Sequence, residues 1–324
     1  MSKITEYDLE EYLELINDGY SQRAACKELE IPRTTMQNFL KRREETSLSS
    51  LLLSASEKDE YTNWKAGEKP KLVEVKKKPT ILVIADTQAK SEENLEYLLW
   101  IGHYIAEKQP DIIVHIGDHY DFPSLSSYDK GKSSSEGRRL YKDIEAGNTG
   151  FEYLNMAMKD IPDYNPRKVF CLGNHEHRLS RYVDDNPELI GTLGVDKLPF
   201  EKYGWEVYPF LKPVEIEGIY FVHYLANPFT GKPYSGTAAN ILSKVGKSFV
   251  VGHKQTLDIS IRPTIDGSLQ LGIVNGACYD FDEGYKGYQG NHHFRGLTVL
   301  HECSNGFGVP MFVSLEFMKE KYYG

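Results

Sequence analysis

Residues 169–176 read Val-Phe-Cys-Leu-Gly-Asn-His-Glu, an apolar run that ends at a glycine and three polar residues. Short apolar runs that end at a turn signal are typical of buried strands. Two earlier runs, Ile81–Ala85 and Ile112–Ile116, have the same form, and stretches with helical periodicity lie between the runs, at about 91–108 and 138–160. Strand, helix and strand in this order predict parallel strands joined by crossover helices, and therefore an α/β fold.

After about Trp205 the apolar runs lie closer together along the chain, which predicts a second sheet packed on the first. These runs are Ile219–Val222, Phe249–Val251, Ile273–Val274, Thr298–Leu300 and Met311–Leu315. The domain that contains both sheets is predicted to span residues 79–324.

The composition is that of a folded soluble protein, and 324 residues are enough for one large domain and a small one. A net charge of −9 argues against a general nucleic-acid coat but is compatible with metal sites that gather carboxylates. No apolar stretch approaches the roughly 18 residues needed to cross a bilayer, and residues 1–14 are too charged for a secretory signal. The four cysteines form no CxxC pair and are interpreted as reduced core residues. We therefore expect a cytoplasmic protein.

A polar cluster follows each of five predicted strands, as Asp86–Gln88, Gly117–Asp121, Gly173–Glu176, His223 and Gly252–Gln255. In open α/β sheets, ligands gather at the carboxyl ends of the strands. Carboxylate and amide oxygens with a few imidazoles suit Mn²⁺, Mg²⁺ or Zn²⁺. A single cluster is more often a cap or a core residue, but five in order favour a metal centre. The glycines before the ligand positions would let the backbone turn tightly.

Together these motifs resemble the pattern of the calcineurin-like metallophosphoesterases: D-x-H, G-D-x-x-D, G-N-H-[DE], a lone H and G-H-x-H. The resemblance covers about residues 80–317, and the residues around the motifs are most similar to phage-encoded members. It implies a four-layer α/β/β/α sandwich with two divalent cations at one edge, and phosphoesterase activity.

By this resemblance, seven residues would hold the two cations: Asp86, Gln88, Asp118, Asn174, His223, His253 and Gln255. Asp118 would bridge both cations, and Asn174, His223 and His253 would complete the second site. Gln88 and Gln255 stand where the family has histidines of the first site. Amide oxygen is a harder and weaker donor than imidazole, so the first site is expected to prefer Mn²⁺ or Mg²⁺ over Zn²⁺. The alternative is that the first site stays empty or fills only transiently.

The same resemblance makes His175 the donor of a proton to the leaving oxygen, with Asp121 holding its imidazole in the useful tautomer. Arg178 and Arg181 follow this motif and could contact a substrate phosphate, or could lie on a solvated helix face. Two long segments, 122–139 and the aromatic-rich 279–295, are candidates for substrate contacts or for self-packed surface loops.

Residues 1–45 are predicted to form three helices, the first with Leu9, Leu13 and Ile16 at helical spacing, and residues 46–78 have the composition of a linker. Residues 22–41 match the helix-turn-helix pattern, although Glu30 stands where glycine is usual at the turn. The third helix would present polar residues that can read bases and hold phosphates, followed by Arg42 and Arg43. These DNA-binding candidates are Arg33, Thr34, Thr35, Gln37, Asn38 and Lys41. A three-helix bundle for protein docking or oligomerisation is the alternative.

The leading hypothesis is a metal-dependent phosphodiesterase or nuclease that acts on nucleic acid or nucleotides and is recruited to DNA by its N-terminal domain. A second hypothesis is a phosphomonoesterase that acts on nucleotides or phosphoproteins. A third is a DNA-binding or scaffold protein whose phosphoesterase fold no longer catalyses. The two glutamines favour the third slightly, whereas the complete second site argues against it.

Overall fold

The computed structural model describes residues 4–41, 77–128, 131–159 and 161–323. These residues belong to two compact units, one within residues 1–75 and one within residues 76–324. Arg42, Arg43 and all but the last two residues of the predicted linker lie outside the described residues. None of the helices in the described ranges is long and apolar enough to cross a membrane.

The described part of the first unit consists of helices α1 (Glu6–Asn17), α2 (Gln22–Glu28) and α3 (residues 33–41), as predicted. A capping box begins α1, because the Asp8 N–H donates to the Thr5 hydroxyl at 3.3 Å and the Thr5 N–H donates to the Asp8 carboxylate at 2.6 Å. The Ser21 hydroxyl caps α2 by accepting from the Ala24 N–H.

The core of the first unit contains Tyr12, Ala25, Cys26 and Met36, all buried. The small side chains of Ala25 and Cys26 let the helices approach closely. Leu13, whose spacing helped to predict α1, is 49% exposed, and Tyr12 is the buried residue of that turn.

The turn between α2 and α3 forms without the usual glycine. Glu30 adopts a left-handed backbone conformation with φ +56°, and the Ile31 N–H donates to the Cys26 carbonyl at 3.0 Å. The left-handed region favours glycine, so this turn carries strain at Glu30.

The second unit contains two sheets. The first has the order β11-β10-β1-β2-β3-β4. Strands β1 to β4 are parallel to one another, β10 pairs with β1 in antiparallel orientation, and β11 pairs antiparallel with β10. Their bounds are β1 (Ile81–Ile84), β2 (Ile112–His115), β3 (Arg167–Cys171), β4 (Trp205–Tyr208), β10 (Gly296–Ser304) and β11 (Phe307–Ser314).

The second sheet has the order β5-β6-β7-β9-β8, in which β6, β7 and β9 are parallel and the two edge strands are antiparallel to their neighbours. Its bounds are β5 (Val214–Ile216), β6 (Ile219–Val222), β7 (Phe249–Val251), β8 (Asp258–Pro263) and β9 (Leu269–Val274). The sequence does not predict β4, β5 or β8. It also extends the last strand to Leu315, whereas the Ser314 hydroxyl caps a helix there.

Helices cover the outer face of each sheet. The first sheet packs against α4 (Glu96–Lys108), α5 (Leu140–Met156) and α9 (Leu315–Tyr322), and the second packs against α7 (Ala238–Val245). Two further helices are α6 (Glu176–Asp185) and the short α8 (Gly287–Gly290). Side chains alternate along β1, so that Ile81 and Val83 lie between the sheets while Leu82 and Ile84 face the helices. The second unit is therefore the expected four-layer α/β/β/α sandwich.

Candidate metal centre

The carboxyl ends of the parallel strands bring the predicted ligands together at one edge of the sandwich. Strands β1, β2 and β3 of the first sheet lead to Asp86, Asp118 and Asn174, and β6 and β7 of the second lead to His223 and His253. Ligand atoms of Asp118, His223 and His253 lie within 4.8 Å of one another. The two sheets thus contribute to a single centre.

Five of the seven proposed ligand residues have a left-handed backbone conformation. Their φ angles are +48° at Asp86, +44° at Gln88, +55° at Asp118, +66° at His253 and +58° at Gln255. For a residue other than glycine this conformation costs on the order of 1–3 kcal/mol and concentrates at functional sites. Of the thirteen described non-glycine residues with positive φ, five are thus proposed ligands at this one edge.

The glycines of the motifs mostly serve to make room for carboxylates. Gly117 takes a positive φ of +93°, as expected for a tight turn. Gly173 and Gly252 do not, but a Cβ at Gly173 would collide with the Asp118 carboxylate, and one at Gly252 would lie 2.5 Å from Asp86 Oδ2. The side-chain oxygens of both aspartates therefore occupy space that only glycine leaves open.

The residues proposed for the second site fit a divalent cation. His223 donates through Nδ1 to the Ile116 carbonyl at 2.8 Å, which leaves Nε2 at 3.2 Å from Asp118 Oδ2 and 2.9 Å from Asn174 Oδ1. Burial lowers the pKa of His223, but the carboxylates of Asp118 and Asp86 outweigh it and raise the pKa to about 9. Burial and the nearby His223 lower the pKa of His253 to about 4. The pocket thus attracts positive charge and offers a carboxylate, an amide oxygen and two imidazoles.

The residues proposed for the first site fit a cation only in part. Burial raises the pKa of Asp86 to about 6, and its Oδ2 accepts from the His253 N–H at 3.0 Å. The buried Oε1 of Gln88 finds no hydrogen-bond partner among the described residues, as a cation ligand would. Gln255 differs, because its Oε1 accepts from the Tyr279 hydroxyl at 3.0 Å and from the Lys286 ammonium.

His175 and Asp121 form the predicted pair beside these ligands. His175 Nδ1 lies 2.6 Å from Asp121 Oδ1, and the His175 N–H donates to Asp118 Oδ1 at 2.9 Å. Burial lowers the pKa of His175, but the carboxylates of Asp118 and Asp121 outweigh it and raise the pKa above its usual value. The imidazole is thus oriented by the Asp121 carboxylate through Nδ1, and its Nε2 faces Asp118 Oδ2 at 3.7 Å.

Residues 79–268 match the family model of the calcineurin-like phosphoesterases. The chain belongs to this family. It is therefore a metal-dependent hydrolase of phosphate esters.

Among curated proteins, this phosphoesterase is similar to the Gene 54 proteins of two Mycobacterium phages. It is 30% identical to that of phage D29 over 178 residues, and 28% identical to that of phage L5 over 179 residues. Each alignment covers 53% of this chain and 68% of the relative. Among solved structures it is similar to Yfce, a phosphoesterase from E. coli, with 13% identity and a TM-score of 0.37 over 74% of this chain and 94% of that chain.

Arg178 of the phosphoesterase holds the loop that carries Asp121. Its Nη1 donates to the Asp121 carbonyl at 2.8 Å, and its Nη2 lies 3.1 Å from His175 Nε2. Arg181, the other predicted phosphate contact, is exposed. Both line an open cleft of about 500 Å³ between residues 123–127 and α6. The structure thus places Arg178 beside His175, tied to the protein more closely than the sequence suggests, and places Arg181 on the wall of the same cleft.

Glu176 is a positioning residue whose role the sequence does not reveal. Its Oε1 accepts from the N–H groups of His119 and Tyr120 at 2.7 and 2.9 Å, and its Oε2 accepts from those of Asp118 and Gly173 at 2.9 and 2.8 Å. This buried carboxylate therefore ties the loop after β2 to the loop after β3. The only sequence signal was the acidic last position of the Gly-Asn-His-Glu motif.

A buried chain of hydrogen bonds underlies the same edge. The Thr87 hydroxyl lies 3.1 Å from His115 Nε2 and 2.8 Å from His119 Nδ1, and His119 Nε2 donates to the Gly147 carbonyl at 2.9 Å. The Gly117 N–H donates to His115 Nδ1 at 3.2 Å. All polar atoms of both imidazoles are thus used within the fold, so both histidines serve the structure of this edge.

Proposed function

We propose that the protein hydrolyses phosphodiesters of nucleic acid or nucleotides with the help of divalent cations, of which Mn²⁺ fits best. The observation that carries this proposal is the convergence of Asp118, Asn174, His223 and His253 beside the His175–Asp121 pair. A cation site next to an oriented acid is what hydrolysis of a phosphate ester needs.

Two divalent cations are proposed, held with unequal strength. Asp118, Asn174, His223 and His253 would hold the tight one; Asp86, Gln88 and Gln255, with Asp118 shared, would hold the weak one. Bound cations would lower the pKa of a water and neutralise the phosphoryl oxygens. The hard oxygen donors of the weak site favour Mn²⁺ or Mg²⁺ over Zn²⁺.

His175 would give its Nε2 proton to the leaving oxygen of the ester. Asp121 fixes the orientation of the ring through Nδ1, and the Asp118 carboxylate holds the backbone of His175 in place. Arg178 places a guanidinium 3.1 Å from the same Nε2, where a substrate phosphate would contact both groups. The contacts with Asp121 and Asp118 orient the acid before substrate arrives, so little reorganisation accompanies the proton transfer.

Two observations support a polymeric or nucleotide diester as the substrate. The cleft beside Arg178 and Arg181 is open, so it can admit a chain that continues beyond the reacting phosphate. In the first unit, the residues of α3 proposed to bind DNA are exposed except for the half-buried Thr35. Recruitment to DNA through Arg33, Thr34, Thr35, Gln37, Asn38 and Lys41 is part of the proposal. The phage relatives support a phage-encoded protein that acts in the host cytoplasm.

Hydrolysis assays with matched substrates test this proposal. The full chain with Mn²⁺ is incubated with bis-p-nitrophenyl phosphate, p-nitrophenyl phosphate, and single- and double-stranded DNA. We expect cleavage of the diester and of at least one DNA. Cleavage of the monoester alone would establish a phosphomonoesterase instead, and tight DNA binding at about 50 mM salt without turnover would establish a DNA-binding protein.

A further inference from the structure

The ammonium of Lys286 lies at the residue that replaces a first-site histidine. Lys286 Nζ donates to Gln255 Oε1 and, at 2.6 Å, to the Tyr279 hydroxyl. It also lies 5.3 Å from the centroid of the Tyr279 ring. Gln255 and Tyr279 are buried, so the lysine reaches from the loop between β9 and β10 into the edge of the centre. This loop is outside the residues that match the family model.

Glutamine at position 255 makes this contact possible. A histidine that binds a cation does so through one ring nitrogen, whose only lone pair the cation then occupies. That nitrogen can therefore not accept a hydrogen bond from a lysine as well. The amide oxygen of Gln255 has two lone pairs, and it accepts from both Tyr279 and Lys286. Its Nε2 lies on the other side, 3.4 Å from Asp86 Oδ1. The replacement of histidine and the presence of the lysine are therefore chemically linked.

We propose that Lys286 competes with the first divalent cation, so that this site fills only when the ammonium leaves Gln255. The inference rests on the proposed function, in which Asp86, Gln88 and Gln255 belong to the weaker cation site. With Lys286 bound, Gln255 Oε1 is engaged and one positive charge already faces the Asp86 carboxylate. With Lys286 withdrawn, the Gln255 amide can rotate so that Oε1 replaces Nε2 beside Asp86 and joins the free Oε1 of Gln88 as a cation ligand. The protein then has a one-cation state and a two-cation state.

The loop that carries Lys286 is held in place at Glu283 and has a glycine directly after Lys286. Glu283 is buried and accepts two hydrogen bonds from Lys90, both at 3.0 Å. Lys286 ends a short 3₁₀ turn, and Gly287 follows it with φ +67°. Withdrawal of the lysine therefore requires rotation of its own side chain and of this turn, while the Lys90–Glu283 pair keeps the loop attached.

Mn²⁺ binding by the full chain tests the inference without any assay of activity. Isothermal titration is performed on the metal-free wild type and on Lys286→Met, Lys286→Gln and Lys286→Arg. We expect the wild type to bind one Mn²⁺ tightly and the second much more weakly. The methionine and glutamine variants should bind the second Mn²⁺ at least about tenfold more tightly, because a positive charge a few ångströms from the site is gone. The arginine variant keeps the charge and should resemble the wild type.

Lys254→Met is the matched control for the loss of a nearby positive charge. Lys254 follows the proposed ligand His253 directly, but its ammonium donates to the Gly236 carbonyl at 2.5 Å and points away from the hydrogen bond between Lys286 and Gln255. The Lys254→Met variant should therefore bind the second Mn²⁺ with the same affinity as the wild type. Electron paramagnetic resonance gives an independent readout, since only the two-cation state shows exchange coupling between Mn²⁺ ions.

Equal affinity for the second Mn²⁺ in wild type, Lys286→Met and Lys286→Gln would overturn the inference. If these proteins still bind the first Mn²⁺ tightly, the proposed function is unaffected by that result. An equal gain in Lys254→Met would also overturn the inference, because the effect would then be one of total charge. If neither the wild type nor any variant binds even one Mn²⁺ tightly, both the proposed function and the inference are wrong.

Discussion

Replacing Glu176 with glutamine should destabilise the protein and displace Asp118. Each carboxylate oxygen of Glu176 accepts two backbone N–H groups, so either orientation of the amide turns one acceptor into a donor that faces two donors. A buried donor without a partner costs about 1–3 kcal/mol, so two of them cost about 2–6 kcal/mol. That is a large share of the roughly 5–15 kcal/mol by which domains are stable.

Denaturant unfolding of the full chain, followed by tryptophan fluorescence, measures this loss. Trp100 and Trp205 both lie in the core of the second unit and report on it. Titration with Mn²⁺ measures the displacement of Asp118, whose N–H is one of the four donors. Glu176→Asp is the control, because it keeps the charge and the family pattern accepts aspartate here. A free energy of unfolding within about 0.5 kcal/mol of wild type, the usual range for an uninvolved surface site, would refute the reasoning.

His175→Ala should reduce diester turnover by about 10²-fold or more while tight Mn²⁺ binding is retained; near-normal turnover would remove His175 from the mechanism. Arg33→Ala with Lys41→Ala should weaken DNA binding about tenfold or more at low salt and leave bis-p-nitrophenyl phosphate hydrolysis unchanged, and DNA affinity equal to wild type would favour a docking role for α3. Glu30→Gly should stabilise the first unit by about 1 kcal/mol, because glycine relieves the left-handed strain. Slower hydrogen exchange of amides 22–41 in the full chain would show this, and unchanged or faster exchange would contradict it.

The position of the metal centre could be predicted because its ligands come directly after apolar strands. Runs such as Ile112–Ile116 identify parallel strands, and parallel strands bring the residues at their carboxyl ends to one edge of the sheet. The same argument fails for β8, in which the half-exposed Ile259 and Ile261 face outward and polar residues lie between them. When the apolar side chains of an edge strand face solvent, the sequence pattern does not show which face of the strand is buried.

Two features of the site had no local sequence signal. Left-handed backbone at Asp86, Gln88, Asp118, His253 and Gln255 is imposed by the surrounding fold, since none of these residue types requires it. The contact between Lys286 and Gln255 joins positions 31 residues apart through a loop whose path the sequence does not define. Tertiary contacts of this kind arise from the packing of the two sheets, not from spacing along the chain.

The most direct test of the central claim couples Mn²⁺ occupancy to diester hydrolysis in one titration. Metal-free protein is loaded stepwise with Mn²⁺, and bound metal and the rate of bis-p-nitrophenyl phosphate hydrolysis are measured on the same samples. We expect no hydrolysis without cation, a rate that rises with bound Mn²⁺, and loss of both in His223→Ala. Hydrolysis that is independent of the cation, or a loaded centre that leaves the diester intact, would contradict it.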